Sequence, residues 1–137
     1  MTRRTAPPSG WQPPAEAELD GRPLALAPLA TEITDRYFAD YPDDLERYGD
    51  LARAWEIHDT HYLLAWALGD VAGYVELERQ VSWLARILEA REFPLDHLAG
   101  NLLIAADVVT ARVAGSEPVA ERLRAAAALV RSTPSFL

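Results

Sequence analysis

The sequence predicts an all-α fold: a helical bundle of about five helices behind a Pro-rich, extended N-terminal arm. Three observations carry that expectation. From Leu29 onward apolar residues recur at helical spacing almost without a break, and no stretch alternates apolar and polar residues like a strand. Gly, Pro, Asp and Ser punctuate the pattern at intervals suited to helix ends. The links between the helical stretches are short, which joins antiparallel neighbours. A chain of 137 residues fits one such domain.

The arm comprises residues 1–28, where six of the ten prolines fall and no helical or strand period is sustained. Its Pro-Pro pairs favour extended backbone, and Trp11 is its one large anchor. The bundle occupies residues 29–131, and residues 132–137 form a short tail. A first short helix is expected over residues 29–40. Pro42 then opens a long helix, with Asp43, Asp44 and Glu46 near its positive end, running to about Gly69. Gly49 is an interior breaker that could detach a short turn of helix from the front of it. Asp70 suits an N-cap for a third helix over residues 71–91. Pro94 opens a fourth, over 95–114, which Gly115 ends, and Ser116 suits the cap of a fifth over 117–131.

The helix faces carry more apolar surface than one inner stripe requires. On the long helix Tyr48, Leu51, Trp55, Tyr62 and Trp66 fall on one stripe, while Ile57, His61, Leu64 and Leu68 fall on nearly the opposite one. A helix apolar on two faces is central in its bundle or shared with another subunit. On the third helix Tyr74, Leu77, Val81, Leu84, Ala85 and Leu88 make the core face, and Trp83 and Ile87 project the other way. Such a patch is covered by the first helix or the arm, or else it is the interface of a homodimer.

Composition removes several chemistries. With no Cys there are no disulfides, thiolate metal sites or thiol nucleophiles, and with every basic residue an Arg there is no Schiff-base lysine. A net charge of -8 disfavours nucleic acid and anionic membrane surfaces as partners. No apolar run spans a bilayer and no secretory leader is evident, so a cytoplasmic location is expected. The scattered serines and glycines form neither a nucleophile elbow nor a phosphate loop. The acidic run from Asp40 to Asp59, seven carboxylates against two arginines, reads as a solvated face.

The densest polar-aromatic cluster is Trp55-Glu56-Ile57-His58-Asp59-Thr60-His61-Tyr62. His58 and His61 could share a face with Asp59 or Glu56 and hold a metal, with His97 brought in only by packing. A di-metal bundle, however, needs Glu-x-x-His on two helices, and no second copy is present. Asp59 beside the aromatic stripe needs a partner such as Arg91, a Tyr or a Trp if it is buried, or else it faces a ligand in an aromatic-lined pocket. Asn101 and Asp107 in the apolar fourth helix raise the same question more weakly.

Asp59-x-x-Tyr62, followed by Trp83-x4-Leu88-x2-Arg91-x6-Leu98-Ala99-x-Asn101-Leu102, resembles a helical module of bacterial sensor and regulator proteins that often accompanies cobalamin-binding domains. The likeness spans residues 48–109. Leu63, Gln80 and Glu92 stand where that module carries His, Tyr and Gly, and the Asp-x-His-x-x-Gly loop of a cobalamin-binding half is absent from the sequence. The resemblance implies a sensor-like or regulatory bundle and does not imply that this chain binds cobalamin alone.

The expected function is therefore a non-enzymatic regulatory domain acting through protein–protein contact as a homodimer, with Trp83 and Ile87 at the interface. The alternative is a bundle that binds a tetrapyrrole-like or aromatic small molecule through Trp55, Asp59, Tyr62 and Trp66. A small metal protein built on His58, His61 and Asp59 comes third. No cofactor, catalytic residue or metal ligand is assigned from the sequence.

Overall fold

A computed structural model describes residues 13–137; Trp11 and the first part of the arm, residues 1–12, lie outside them. The described residues form an antiparallel hairpin, β1 (Glu16–Leu19) and β2 (Arg22–Ala25), and then six helices. These are α1 (Ala27–Asp40), α2 (Asp43–Tyr48), α3 (Ala52–Ala72), α4 (Leu77–Ala90), α5 (Leu95–Arg112) and α6 (Glu117–Ser132). The body is an α-helical bundle, as the apolar period requires, with one helix more than expected.

The hairpin corrects the reading of residues 1–28 as lacking strand pattern. Its two-residue loop, Asp20-Gly21, holds φ of 53° and 75°, the pair of positive values that a tight type I′ turn needs and that Asp and Gly tolerate best. Asp-Gly beside the alternation Glu16-Ala17-Glu18-Leu19 was the available signal. The hairpin buries Leu19, and Leu26 follows it into the core, its N–H bonded to the Ala15 carbonyl at 3.0 Å.

Gly49, at φ 78°, does separate the short α2 from α3. The expected end of the long helix and start of the next need correction. α3 continues one turn past Gly69 and stops at Gly73, which adopts the left-handed conformation of a helix C-terminus and donates to the Gly69 and Asp70 carbonyls. Asp70 therefore sits inside α3 and does not open a helix at Val71. It nevertheless serves the next helix from a distance, because its Oδ2 accepts the N–H of Leu77, the first residue of α4, at 2.8 Å. Its other oxygen accepts Arg122 Nε of α6 at 3.0 Å. Tyr74, expected on a core face, falls in the link and is 75% exposed. Ser116 precedes α6 but gives it no side-chain cap; its hydroxyl donates to the Val109 carbonyl at 2.8 Å.

One hydrophobic core runs through the bundle, and α3 lies against α1, α4, α6 and the hairpin. This central position accounts for apolar residues on both its faces. α5 packs along α6 and α1 and buries ten of its eighteen residues. Gly100 permits the closest approach there: a Cβ on it would lie 1.9 Å from the Tyr41 hydroxyl. Tyr41 is thereby laid against α5 and stacks on His97 at a ring distance of 4.1 Å.

Candidate functional site

A half-open cavity of about 70 Å³ lies where α1 to α5 meet. One water needs about 10–15 Å³ on this measure, so the cavity has room for roughly five water-sized groups. Tyr37 and Phe38 of α1, Asp44 and Tyr48 of α2, and Trp55, Glu56, Asp59 and Leu63 of α3 line it. Leu84 and Leu88 come from the inner face of α4, Arg91 and Phe93 from the link that follows, and His97, Leu98 and Asn101 from the start of α5.

The brevity of α2 is what brings a carboxylate inside. Its first turn carries Asp43, Asp44 and Glu46; Asp43 and Glu46 are exposed and favour the helix N-terminus, but Asp44 turns inward and is only 2% exposed. Asp44 Oδ2 accepts the Tyr37 hydroxyl and His97 Nδ1, the latter at 2.9 Å. Burial, followed by the negative charges of Glu56 and Asp44, pushes the Tyr37 phenol far above its ordinary range, so it remains a donor. With its Nδ1 hydrogen committed to Asp44, His97 is left with Nε2 as its second functional atom. Phe93 meets the His97 ring edge-on at 6.0 Å and Tyr48 tilts against Phe93 at 5.4 Å, so the polar group is ringed by aromatics.

A second polar chain runs from α5 to α3. Asn101 Nδ2 donates to Thr60 Oγ1 at 3.4 Å, and Thr60 Oγ1 donates to Glu56 Oε1 at 3.1 Å. Three buried polar atoms of the lining have no hydrogen-bond partner: Asp44 Oδ1, Tyr48 Oη and Asn101 Oδ1. An unsatisfied buried polar group costs about 1–3 kcal/mol. Three such atoms belong to residues that line this one cavity, where water or a ligand is the partner left to serve them.

Of the residues expected at a ligand site, Trp55 and Asp59 line the cavity, and Tyr62 and Trp66 do not. Those two continue a ladder of rings along α3, in which Trp55–His58, His58–Tyr62 and Tyr62–Trp66 are 5.4, 5.2 and 5.7 Å apart. Asp59 Oδ1 lies 3.2 Å from His58 Nδ1. Arg91, suggested as its partner, lines the same cavity. Trp83 is 57% exposed on the outer face of α4, and Ile87 beside it is half-buried. Asp107 is exposed, away from the cavity.

The acidic run from Asp40 to Asp59 is only partly a solvated face, since Asp44, Glu56 and Asp59 turn into the cavity. Asp44 and Tyr37 were missed as site residues for that reason. Their sequence signal is thin, because a six-residue helix shows no periodicity from which an inward face can be read.

The arrangement offers a proton acceptor or donor at His97 but no Ser, Thr, Cys or Lys among its lining residues. A carboxylate behind Nδ1 also orients metal-bound imidazoles. Among the described residues, no group of three or more His, Asp or Glu gathers in a way that could hold a metal. No described helix is long and apolar enough to cross a membrane. Comparison with known protein families, characterised proteins and solved structures finds no match to this chain.

Proposed function

We propose that the chain is a non-enzymatic, sensor-like regulatory domain that takes a small molecule into the α1–α5 cavity and signals its occupancy through protein contact. The observation that carries this reading is the set of three unsatisfied buried polar atoms, on Asp44, Tyr48 and Asn101, around an otherwise aromatic and aliphatic cavity. Binding sites are mostly apolar concavities with a few converging polar groups that fix orientation. The volume suits a small amphiphile whose head is enclosed and whose body leaves through the open side. It is too small to enclose a tetrapyrrole.

α4 is the natural carrier of the signal. Leu84 and Leu88 on its inner face line the cavity, while the exposed Trp83 stands just before Leu84 in sequence and the half-buried Ile87 just before Leu88. A change in how the inner face packs around a ligand moves the outer face of the same rigid helix. The partner for that face is a second copy of the chain, since an outward Trp beside a half-buried Ile is apolar surface of the kind that closes a two-fold contact.

A thermal-shift screen of small metabolites and aromatic amphiphiles tests the ligand half of the proposal, with binding of each hit confirmed by calorimetry. At least one compound should raise the melting temperature and bind one per chain, and a broad screen without a binder overturns it. Sedimentation of wild type and Trp83→Ala tests the output half. A dimer that Trp83→Ala dissociates is the expected result, and a monomer in both removes the homodimer.

A further inference from the structure

We infer that the head group this cavity takes is an organic ammonium, a primary amine in its charged form, seated among Asp44, Asn101 and Tyr48. This rests on the cavity being a ligand site, as proposed above, and adds the chemical class. The argument begins with the direction of the unsatisfied atoms. Thr60 has one hydroxyl hydrogen, and it goes to Glu56, a carboxylate that in its charged form only accepts. Thr60 Oγ1 must therefore accept from Asn101, which fixes the Asn101 amide with its NH2 toward Thr60 and leaves Oδ1 as the open atom.

Asn101 is 3% exposed and Asp44 2%, so both open oxygens are buried in the cavity wall. Both are pure acceptors. Tyr48 Oη, the third unsatisfied atom, can accept as well as donate. The cavity thus asks its occupant for hydrogen-bond donors, and an ammonium brings three. The formal charge of the lining agrees: Asp44, Glu56 and Asp59 outnumber Arg91. A carboxylate or phosphate ligand would face that excess as well as the acceptors. The aromatic rings of Tyr37, Tyr48, Trp55 and Phe93 supply the remaining component, since a cation against ring faces is favoured when it is desolvated.

Four phenyl-bearing probes separate the possibilities by calorimetry on the whole chain: 2-phenylethylammonium, 2-phenylethanol, phenylacetate and the bulkier benzyltrimethylammonium. The primary ammonium should bind at least about tenfold more tightly than the neutral alcohol, the worth of one hydrogen bond to a charged group. It should also exceed the quaternary cation, which has charge but no N–H. Asp44→Asn should cut the preference for ammonium over alcohol at least severalfold, whereas mere loosening of the fold would weaken both probes alike. Should Asp44→Asn fail to fold, Tyr48→Phe serves instead. It removes one acceptor and should weaken the primary ammonium severalfold without touching the quaternary one.

Equal or tighter binding of the alcohol or the carboxylate overturns the ammonium assignment and leaves the cavity a small-molecule site. Absence of binding by all four at millimolar concentration overturns the assignment too, and the ligand-site reading then stands or falls with the wider screen.

Discussion

Glu92 holds φ at 61°, in the left-handed region, between two cavity residues, Arg91 and Phe93. The turn is closed by the Phe93 N–H on the Leu88 carbonyl at 2.9 Å, so the backbone has no freedom to relax. An L-residue in that region carries about 1–2 kcal/mol of strain, part of which glycine returns as unfolded-state entropy. Glu92→Gly should therefore stabilise the domain by about 0.5–1 kcal/mol in urea unfolding, and Glu92→Ala should not. Equal effects of the two would show that the Glu side chain, and not φ, matters. A Glu carries no signal of a left-handed φ, so the strain at this position was not legible in the sequence. Asp44 was not legible: three neighbouring carboxylates, Asp43, Asp44 and Glu46, differ only in which way one short turn of helix points them.

At the scale of elements, the tail is tied to α4 by a single carboxylate. Glu89 accepts the Ser135 hydroxyl at 2.6 Å and the Phe136 N–H at 2.8 Å, and Phe136 packs against the core. Those two bonds, the backbone one foremost, hold the Glu89 carboxyl below the ordinary glutamate range near 4.5. Because the folded state binds this proton less readily than the unfolded one, the clamp is complete above that range. It is lost as pH falls through it toward the lower folded value. The protection of the Phe136 amide, taken relative to its intrinsic exchange rate at each pH, should fall over that acid interval in wild type and be low throughout in Glu89→Ala. Protection that ignores both acid and the substitution would mean that Phe136 packing alone holds the tail. The longer helices α5 and α6 followed from their period and their flanking Pro and Gly, and α1 was displaced by only two residues. The α3–α4 boundary did not follow. Gly69 and Gly73 can each end a helix, and local pattern cannot show that Asp70, expected as an N-cap, reaches seven residues ahead to Leu77 and across to Arg122.

For the whole molecule, the surplus of apolar surface on α3 has an account in its central place, and the remaining surplus on α4 is concentrated at Trp83. What the bundle does not do is close its own polar accounts around the cavity. If Asn101 is kept for a ligand, the protein carries its open oxygen as a penalty of about 1–3 kcal/mol in the unliganded state. Asn101→Leu has about the same size, removes the unsatisfied atom and adds apolar surface to the wall. It gives up only a long bond of 3.4 Å to Thr60, whose own hydroxyl still reaches Glu56. The variant should thus be more stable by about 1 kcal/mol, raising the melting temperature by roughly 3–6 °C for a domain of this size. It should also lose affinity for any ligand that binds wild type. A stabilised, non-binding protein is the mark of a residue retained for function at the expense of the fold. A destabilised one would place Asn101 among the structural groups that brace α5 against α3, and the cavity would lose one of its three anchors.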